Sequence, residues 1–342
     1  MNEIYCPEWW RSSLDDVEEA LKLVKKGSVC EIARSAGNRP IYKIEYGKSN
    51  VRHGSANLSS ALGAHDIRYF ADKTGEDYVP TLLLVGANHG GEFEGVVGLL
   101  NLIKLLETGT DYRGEEHPEL LSYMNKLHLI IVPISNPDGR ARVPFNSVVG
   151  MTFRDFRYYN QGTWKKDGTL CGWPGCKSIH PIKEASEFLG AYFNDDGVNM
   201  MHEDYFGYAS KESTALLDIC RNEVPDLSLL LHGGTNAVTG LLPTDFTYPA
   251  IVEECLEISN ALKARGDEEG VRIKVYEQNC ISLAFGITSA MHHLCGTPVM
   301  TFESNQGLSD APGICCDEEE IYKAHILLFE ESAKHLVNKF GK

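Results

Sequence analysis

Four side chains that could bind a metal ion or carry a proton stand at the ends of apolar runs in this sequence. They are His89, Glu92, His232 and Glu303. The runs that precede them, residues 81–87, 227–231 and 298–302, are typical of buried strands in an α/β sheet. Because open α/β sheets bind ligands beyond the carboxyl ends of their strands, we expect the four side chains to meet at one edge of the sheet.

Two histidines and one glutamate form a known catalytic zinc site in which the fourth position stays open for water. His89 and Glu92 are separated by two glycines, so both side chains can reach one point as the chain passes from strand to helix. Glu92 is then expected in the first helical turn, where the helix dipole favours a carboxylate. His232 lies at the end of another predicted strand. The pattern predicts Zn²⁺ on these three residues, with Glu303 as the base that acts on the water.

Composition and charge exclude several classes of protein. The chain has 342 residues, is 43% hydrophobic, and carries a net charge of −16 from 32 Lys and Arg against 48 Asp and Glu. This excess of acidic residues argues against a nucleic-acid or anionic membrane surface. We expect no membrane span, because no run of about 18 apolar residues occurs. The amino terminus lacks the features of an export signal, so the ten scattered cysteines are expected as reduced thiols in a cytoplasmic protein.

The remaining patterns alternate between strands and helices and predict one α/β domain over residues 1–342. Further strands are predicted at residues 39–46, 127–133 and 271–276. Helices are predicted at residues 14–26, 94–107, 183–193, 211–222, 249–265 and 318–339. Asn136-Pro137-Asp138-Gly139 has the composition of a sharp turn.

Residues 140–181 lack sustained periodicity and are rich in glycine, aromatic and basic residues. We interpret them as a long irregular insertion, and connections of this length are more often functional than idle. Cys171 and Cys176, with His180 nearby, have a poor spacing for a structural zinc site, and the glycines between the cysteines indicate turns.

In order and spacing, a series of motifs resembles the zinc carboxypeptidase family, the metallocarboxypeptidases of the carboxypeptidase A type. The motifs, from residue 33 to about residue 305, are Ser35-Ala36-Gly37-Asn38-Arg39-Pro40-Ile41, Gly86-Ala87-Asn88-His89-Gly90-Gly91-Glu92, Asn136-Pro137-Asp138-Gly139, Glu212-Ser213-Thr214-Ala215-Leu216, Pro225-Asp226-Leu227 to His232-Gly233, and Thr301-Phe302-Glu303. The resemblance implies zinc on His89, Glu92 and His232, with Glu303 as general base and then proton donor to the leaving amine. It also implies a mixed, mostly parallel sheet of about eight strands between helices.

The sequence departs from the family at the residues that bind the substrate's terminal carboxylate. The family places an Asn-Arg pair after a Gly-Val-Asp/Asn step, whereas here residues 197–199 are followed by Met200, Met201 and His202. Asn199 and His202 are therefore predicted to contact the substrate, with His202 at the arginine's place. Histidine cannot form the two-pronged contact of a guanidinium group, so we expect weak discrimination between a C-terminal acid and its amide.

Two other positions are assigned through the same resemblance. Arg154 and Arg157 lie where the family has an arginine that stabilises the oxyanion; the alternative is a pair of surface arginines that contact Asp155 and similar neighbours. Leu283 and Phe285 lie near the expected place of a family tyrosine.

The sequence thus predicts a zinc-dependent hydrolase that cleaves a small peptide or peptide-like amide. One alternative is an aspartoacylase-like deacylase of N-acyl amino acids, and another is a zinc-containing protein that binds a ligand without turnover. The motif 136–139 favours the peptidase. Glu303 weighs against a pure binding protein, which has no need of a base. The oligomeric state is left open.

Overall fold

A central β-sheet with helices on both faces forms the body of the protein. The computed structural model describes residues 6–50, 58–203, 209–276 and 285–342. Within these ranges, no helix is both long enough and apolar enough to cross a membrane. The expected α/β architecture is confirmed.

Nine strands and ten α-helices make up the regular structure of the described residues. The strands are β1 (Ser28–Arg34), β2 (Pro40–Tyr46), β3 (Thr81–Gly86), β4 (His128–Val132), β5 (Gly162–Trp164), β6 (Ser186–Leu189), β7 (Leu227–Gly233), β8 (Gly240–Pro243) and β9 (Val299–Ser304). The helices are α1 (Leu14–Leu23), α2 (Leu58–Gly63), α3 (Glu94–Thr108), α4 (Pro118–Met124), α5 (Pro137–Ala141), α6 (Phe153–Gln161), α7 (Lys211–Glu223), α8 (Pro249–Glu269), α9 (Ile287–Cys295) and α10 (Glu318–Phe340). Short 3₁₀ helices span Ile67–Tyr69, Gly175–Lys177, Lys183–Ala185 and Met200–His202.

The main sheet is mixed, with its parallel strands at the centre. Among the described residues it contains seven strands in the order β1-β2-β4-β3-β7-β9-β8, while β5 and β6 pair separately. Strands β4, β3, β7 and β9 are parallel, and β1, β2 and β8 run antiparallel to their neighbours. The carboxyl ends of the four parallel strands therefore lie along one edge of the sheet.

The position of strand β3 explains why its residues are all apolar and do not alternate with polar ones. Leu82 and Leu84 belong to the core on one face of the sheet, beneath α1, α3, α4, α8 and α10. Leu83 and Val85 belong to the core on the other face, beneath α2, α7 and α9. Because helices cover both faces, every side chain of the strand is buried and the run is continuously hydrophobic.

Two predicted elements are wrong because tertiary pairing overrides the local pattern. Residues 183–193 were expected as a helix, but only a 3₁₀ turn forms before β6, which pairs with β5. Gly190 packs tightly against α6, since an added Cβ would be 2.3 Å from the Asn160 carbonyl oxygen. This close packing leaves no room for a helix at these residues. The strand expected at residues 271–276 is reduced to a bridge between Thr239 and Ile273, because β8 already occupies the free edge of β9.

The motif 136–139 is the start of a short helix and not an isolated turn. Asn136 caps α5 by accepting a hydrogen bond from the Gly139 N–H, and Pro137 occupies the first helical position, where its missing N–H is harmless. The stretch expected to be irregular, residues 140–181, contains α6 and β5. This stretch therefore has local structure that lacks an obvious sequence period.

Asp138 ties the loop between β1 and β2 to α5. Its carboxylate is fully buried and accepts four hydrogen bonds, which come from Ser35 Oγ, Gly37 N, Arg39 Nη1 and Asp195 N at 2.6, 2.8, 2.8 and 3.0 Å. Burial opposes the charge, but the four donors outweigh it and hold the pKa of Asp138 below its usual value. The motif thus fastens the edge of the sheet beside the His89 loop.

We predict that Asp138→Asn lowers the free energy of unfolding by about 3 kcal/mol at neutral pH, because the amide nitrogen of asparagine cannot accept a hydrogen bond and two of the four donors to the buried carboxylate lose their acceptor. The lowered pKa means that this stabilisation is full above the unfolded pKa of about 3.9 and is lost as the pH falls below it. Urea denaturation near pH 7 and again near pH 3 measures both effects. Asp195→Asn is the matched control, because its carboxylate also contacts Arg39 but is 33% exposed, and it should cost less. Equal losses in the two variants at both pH values would contradict the assignment.

Candidate active site

Strands β7 and β9 place His232 and Glu303 side by side. The two residues are direct partners in the parallel ladder, so their side chains point to the same face of the sheet. Both residues lie just inside the ends of their strands, one residue before Gly233 and Ser304. This register brings the two side chains together at the carboxyl edge of the sheet, as expected from the sequence.

A tight turn after β3 brings His89 to the same edge. Ala87 has φ of +46°, a left-handed conformation that is uncommon for a residue with a side chain and that recurs at functional sites. Gly90 packs directly on α5, because an added Cβ would lie 2.1 Å from the Arg140 nitrogen. The Gly90 N–H also donates to the Ala191 carbonyl at 2.8 Å. The glycine is therefore required for close approach of the backbone and holds the His89 loop in place.

Glu92 does not lie in the first turn of α3, contrary to the sequence expectation. The helix begins at Glu94 after Phe93, and Glu92 belongs to the preceding turn, where its N–H donates to the His89 carbonyl at 3.0 Å. This turn directs the carboxylate toward the two histidines and away from the helix axis. Glu94 occupies the position at the helix start instead, and burial raises its pKa to about 8.

The Glu92 carboxylate bridges both histidines. Its Oε1 lies 3.1 Å from His89 Nδ1, and its Oε2 lies 2.8 Å from His232 Nδ1. The three side chains are buried and each offers a ligand atom within 4.8 Å of the others. Burial opposes the charge of Glu92, but the two histidines outweigh it and hold its pKa below the usual value. Burial also opposes the charge of His232, and Glu92 outweighs it, so the pKa of His232 is raised.

The arrangement of the ring nitrogens fits a metal ion. His89 and His232 each point Nδ1 at a different oxygen of the Glu92 carboxylate, so two nitrogens and a carboxylate lie close together, the donor set of a His₂Glu zinc site. The other nitrogen of His89, Nε2, lies 3.2 Å from Asn199 Oδ1, a contact that fixes the ring and its tautomer. His232 Nε2 is buried and has no hydrogen-bond partner among the described atoms. Asn199, predicted to contact substrate, here contacts a candidate ligand.

Two further clusters of the described residues could hold a metal by proximity, and neither converges in this way. They are Glu45, His128 and Glu223, and Asp111, Glu115 and His117. His128 lies between its two carboxylates, with Nε2 3.5 Å from Glu45 and Nδ1 3.9 Å from Glu223, so they approach opposite sides of the ring. Asp111 already accepts hydrogen bonds from two backbone N–H groups, His117 and the Tyr322 hydroxyl. The side chains of these two clusters already contact one another through ion pairs and hydrogen bonds, so they are weaker candidates for a metal site.

Glu303 has the properties of a group that exchanges protons near neutral pH. Burial raises its pKa to about 7, and the negative charge of Glu92 acts in the same direction while His232 opposes it. Gly234 leaves space beside the carboxylate, since an added Cβ would lie 3.1 Å from Oε2. A carboxyl group with this pKa can accept a proton and return it.

The two arginines on α6 differ in their surroundings. Arg154 is exposed, and no hydrogen bond or ion pair joins it to another described residue. Arg157 donates from Nε to Gln161 Oε1 at 3.2 Å and packs on Gly172, where an added Cβ would lie 1.7 Å from Nη2. Neither forms an ion pair with Asp155 or with any other carboxylate in the described ranges. Of the two arginines, Arg157 therefore has a side chain fixed by contacts with its neighbours, whereas Arg154 does not.

Several residues near the site were not identified from the sequence. Tyr192 stacks on His89 with ring centroids 3.9 Å apart and an interplanar angle of 9°. Lys177 donates from Nζ to His202 Nε2 at 3.0 Å, the nitrogen that must accept in a neutral ring. The turn-forming residues Asp195-Asp196-Gly197 indicate that the chain leaves regular structure just after Tyr192. The helix wrongly predicted at residues 183–193 included Tyr192, so this residue was not considered for the site.

The remaining assignments fall outside the site or outside the described residues. Phe285 stacks near Phe246 and His293, with ring centroids 5.8 and 5.9 Å away, while Leu283 lies outside the described residues. Cys171 and Cys176 are buried free thiols in a small apolar cluster and belong to none of the candidate metal clusters of the described chain.

Family comparison agrees with this geometry. The chain matches the family model for zinc carboxypeptidases (Peptidase_M14) over residues 25–265. It belongs to the zinc carboxypeptidase family, and it is a zinc metallopeptidase, a zinc-dependent hydrolase of peptides. The matched range includes His89, Glu92 and His232 and ends before Glu303. A search of curated protein sequences found no match.

Solved structures share the fold at low sequence identity. A metallo-carboxypeptidase from Burkholderia cenocepacia is 14% identical with a TM-score of 0.60, over 95% of this chain and 69% of the other. Carboxypeptidase A from Helicoverpa armigera is 15% identical with a TM-score of 0.58, over 97% and 74%. Bovine thrombin-activatable fibrinolysis inhibitor, solved with tick carboxypeptidase inhibitor, is 11% identical with a TM-score of 0.57, over 97% and 100%. The predicted fold is thereby confirmed.

We predict that the purified protein binds about one zinc ion per chain and that His232→Ala loses most of it, because two protein ligands do not hold zinc in place of three. Elemental analysis after desalting measures the metal, and circular dichroism checks the fold. His128→Gln is the matched control, since it changes another buried histidine flanked by carboxylates and should retain zinc. Full zinc in His232→Ala, or loss only in His128→Gln, would show that the metal lies elsewhere.

Proposed function

We propose that this peptidase uses His89, Glu92 and His232 as its zinc ligands and Glu303 as its general base and acid. The observation that carries the proposal is the pairing of His232 with Glu303 across β7 and β9, with Glu92 bridging the histidines. Zinc, when bound, makes a water molecule more acidic and polarises the carbonyl of the substrate. The reaction then needs a base beside the ligands, and the register of Glu303 with His232 supports Glu303 for that role.

Glu303 moves the proton from water to the leaving amine. Its carboxylate accepts the proton as the water attacks the carbonyl carbon, and the same oxygen donates it to the nitrogen as the C–N bond breaks. A pKa of about 7 lets one group perform both transfers with little loss in either direction. The buried surroundings that raise this pKa also limit competing water.

Other side chains orient the ligands or balance charge. Asn199 and Tyr192 fix the His89 ring from its Nε2 edge and from its face. Arg157, free of any described carboxylate, is available to stabilise the negative charge that develops on the carbonyl oxygen. Arg154 is exposed on the same helix and is the weaker candidate for that role. His202 lines the substrate side of the site.

The substrate class follows from the family and the partners from the charge. A small peptide or peptide-like amide suits a site at the edge of the sheet, and nothing in the described chain or the comparisons favours the aspartoacylase-like deacylase or the binding protein without turnover. A cytoplasmic location is supported by nine described cysteines that are all free thiols. Nucleic acid remains an unsuitable partner for a chain with a net charge of −16.

We predict that Glu303→Gln lowers kcat by about 10²–10⁴, because the amide keeps the shape but cannot accept a proton. Zinc content should stay at the wild-type level, since Glu303 is not a proposed ligand. Steady-state hydrolysis of a peptide panel and elemental analysis measure the two quantities.

Glu94→Gln is the matched control for this variant. Glu94 is a buried carboxyl group close to Glu92, and its pKa of about 8 means that it is already protonated at neutral pH. A glutamine should replace it with less than a threefold change in kcat. Wild-type activity in Glu303→Gln, or an equal loss in Glu94→Gln, would contradict the role of Glu303.

A further inference from the structure

The charge of residues 140–181 is opposite in sign to that of the whole chain. The segment contains seven lysines and arginines and two aspartates, a net charge of +5, whereas the whole chain carries −16. Arg140 and Arg142 donate hydrogen bonds to backbone carbonyls and have a structural role. The other five form no ion pair with any carboxylate that the structure describes. They are Arg154, Arg157, Lys165, Lys166 and Lys177.

Two of these cations, Lys165 and Lys166, line a cavity of about 460 Å³. The other residues that line it are Trp164, Ser178, Ile179, Glu184 and Ala185. Its two walls are held together by the backbone, because the Lys165 N–H donates to the Ala185 carbonyl at 2.8 Å. The volume is in the range of cavities that bind ligands. The cavity is therefore formed by the fold before any ligand arrives.

The lining combines positive charge with apolar surface. Lys166 Nζ lies 5.8 Å from the centroid of the Trp164 ring, so the indole and the ammonium group are neighbours. Ile179 is 46% exposed, which leaves an apolar side chain in contact with solvent at the cavity. Glu184 is the one acidic side chain of the lining, and two lysines outnumber it. Carboxylates on short methylene chains suit this lining, because the methylene groups can pack on the indole while the charge meets an ammonium group.

The cavity and the candidate metal centre are built on successive parts of one segment. Trp164 ends β5, which pairs with β6. After β6 the chain passes through Gly190 to Tyr192, whose ring stacks on His89. None of the residues that line the cavity is a proposed zinc ligand or the proposed base. A ligand in the cavity thus contacts the segment that contacts the metal centre and leaves the centre itself free.

We propose that this cavity binds an acidic segment of the peptide substrate, separate from the bond that is cleaved. This inference rests on the proposed function. A short run of glutamate or aspartate matches both the unpaired lysines and the apolar wall. A nucleic acid matches them less well, because a long polyanion extends beyond the basic segment onto a chain that is acidic elsewhere.

The binding test uses zinc-loaded Glu303→Gln, which should not hydrolyse the probe. The probe is a fluorescein-labelled peptide of six glutamates with a C-terminal amide, so binding does not depend on a terminal carboxylate. Fluorescence anisotropy measures its Kd. Adding Lys165→Gln and Lys166→Gln should weaken binding by about two- to thirtyfold, the range for two exposed charge pairs. Lys165→Arg/Lys166→Arg keeps both charges and should retain the affinity.

Lys22→Gln/Lys25→Gln in the same background is the matched control. It removes two positive charges from exposed lysines near the end of α1 that form no ion pair with a described carboxylate, and it should keep the affinity. A loss below twofold in Lys165→Gln/Lys166→Gln, or an equal loss in the control, would overturn the proposal. Equal affinity for a peptide of six glutamines would overturn it too. Tighter binding of a six-nucleotide single-stranded DNA would show that the ligand is not a peptide.

Hydrolysis separates this proposal from the proposed function. Two substrates share one C-terminal half and carry either six glutamates or six glutamines in the other half. Wild type should show a lower KM for the glutamate substrate at similar kcat, and Lys165→Gln/Lys166→Gln should remove the difference. Equal KM values in wild type would overturn the role in substrate binding. If wild type hydrolyses neither substrate, the proposed function fails, while anisotropy still decides whether the cavity binds acidic peptides.

Discussion

The charge of Glu92 is the constraint on which the site depends. A carboxylate in a buried position is unfavourable unless it is paired, and here two histidines from different parts of the chain provide the pairing. The histidines reach it only because β3 and β7 are adjacent and parallel, so that their carboxyl ends coincide. A metal ion with a double positive charge would replace the protons of this cluster and satisfy it more completely.

The same sheet order also positions Glu303, the proposed base. Strand β9 lies next to β7, and the pairing of Glu303 with His232 puts a second carboxyl group beside the cluster. The loss of water raises the pKa of Glu303, and repulsion from Glu92 acts in the same direction while His232 opposes it. The pKa values of the two glutamates thus shift in opposite directions, because Glu92 is hydrogen-bonded to two histidines and Glu303 is not.

The strands and the four central side chains could be predicted because they depend on local pattern. Apolar runs that end in a polar residue identify parallel strands and the edge where they meet, and these positions were found from the sequence. The contacts of Tyr192, Asn199 and Lys177 could not be found in this way. They depend on how the segment 140–203 folds back over the sheet, where close glycine packing, as at Gly190, overrides a helical pattern.

A crystal structure of the zinc-loaded protein, with anomalous differences collected on both sides of the zinc absorption edge, tests the central claim most directly. The account predicts one anomalous peak about 2.0–2.2 Å from His89 Nδ1, His232 Nδ1 and a Glu92 oxygen. A peak in the cluster around His128, with none at Glu92, would contradict the account.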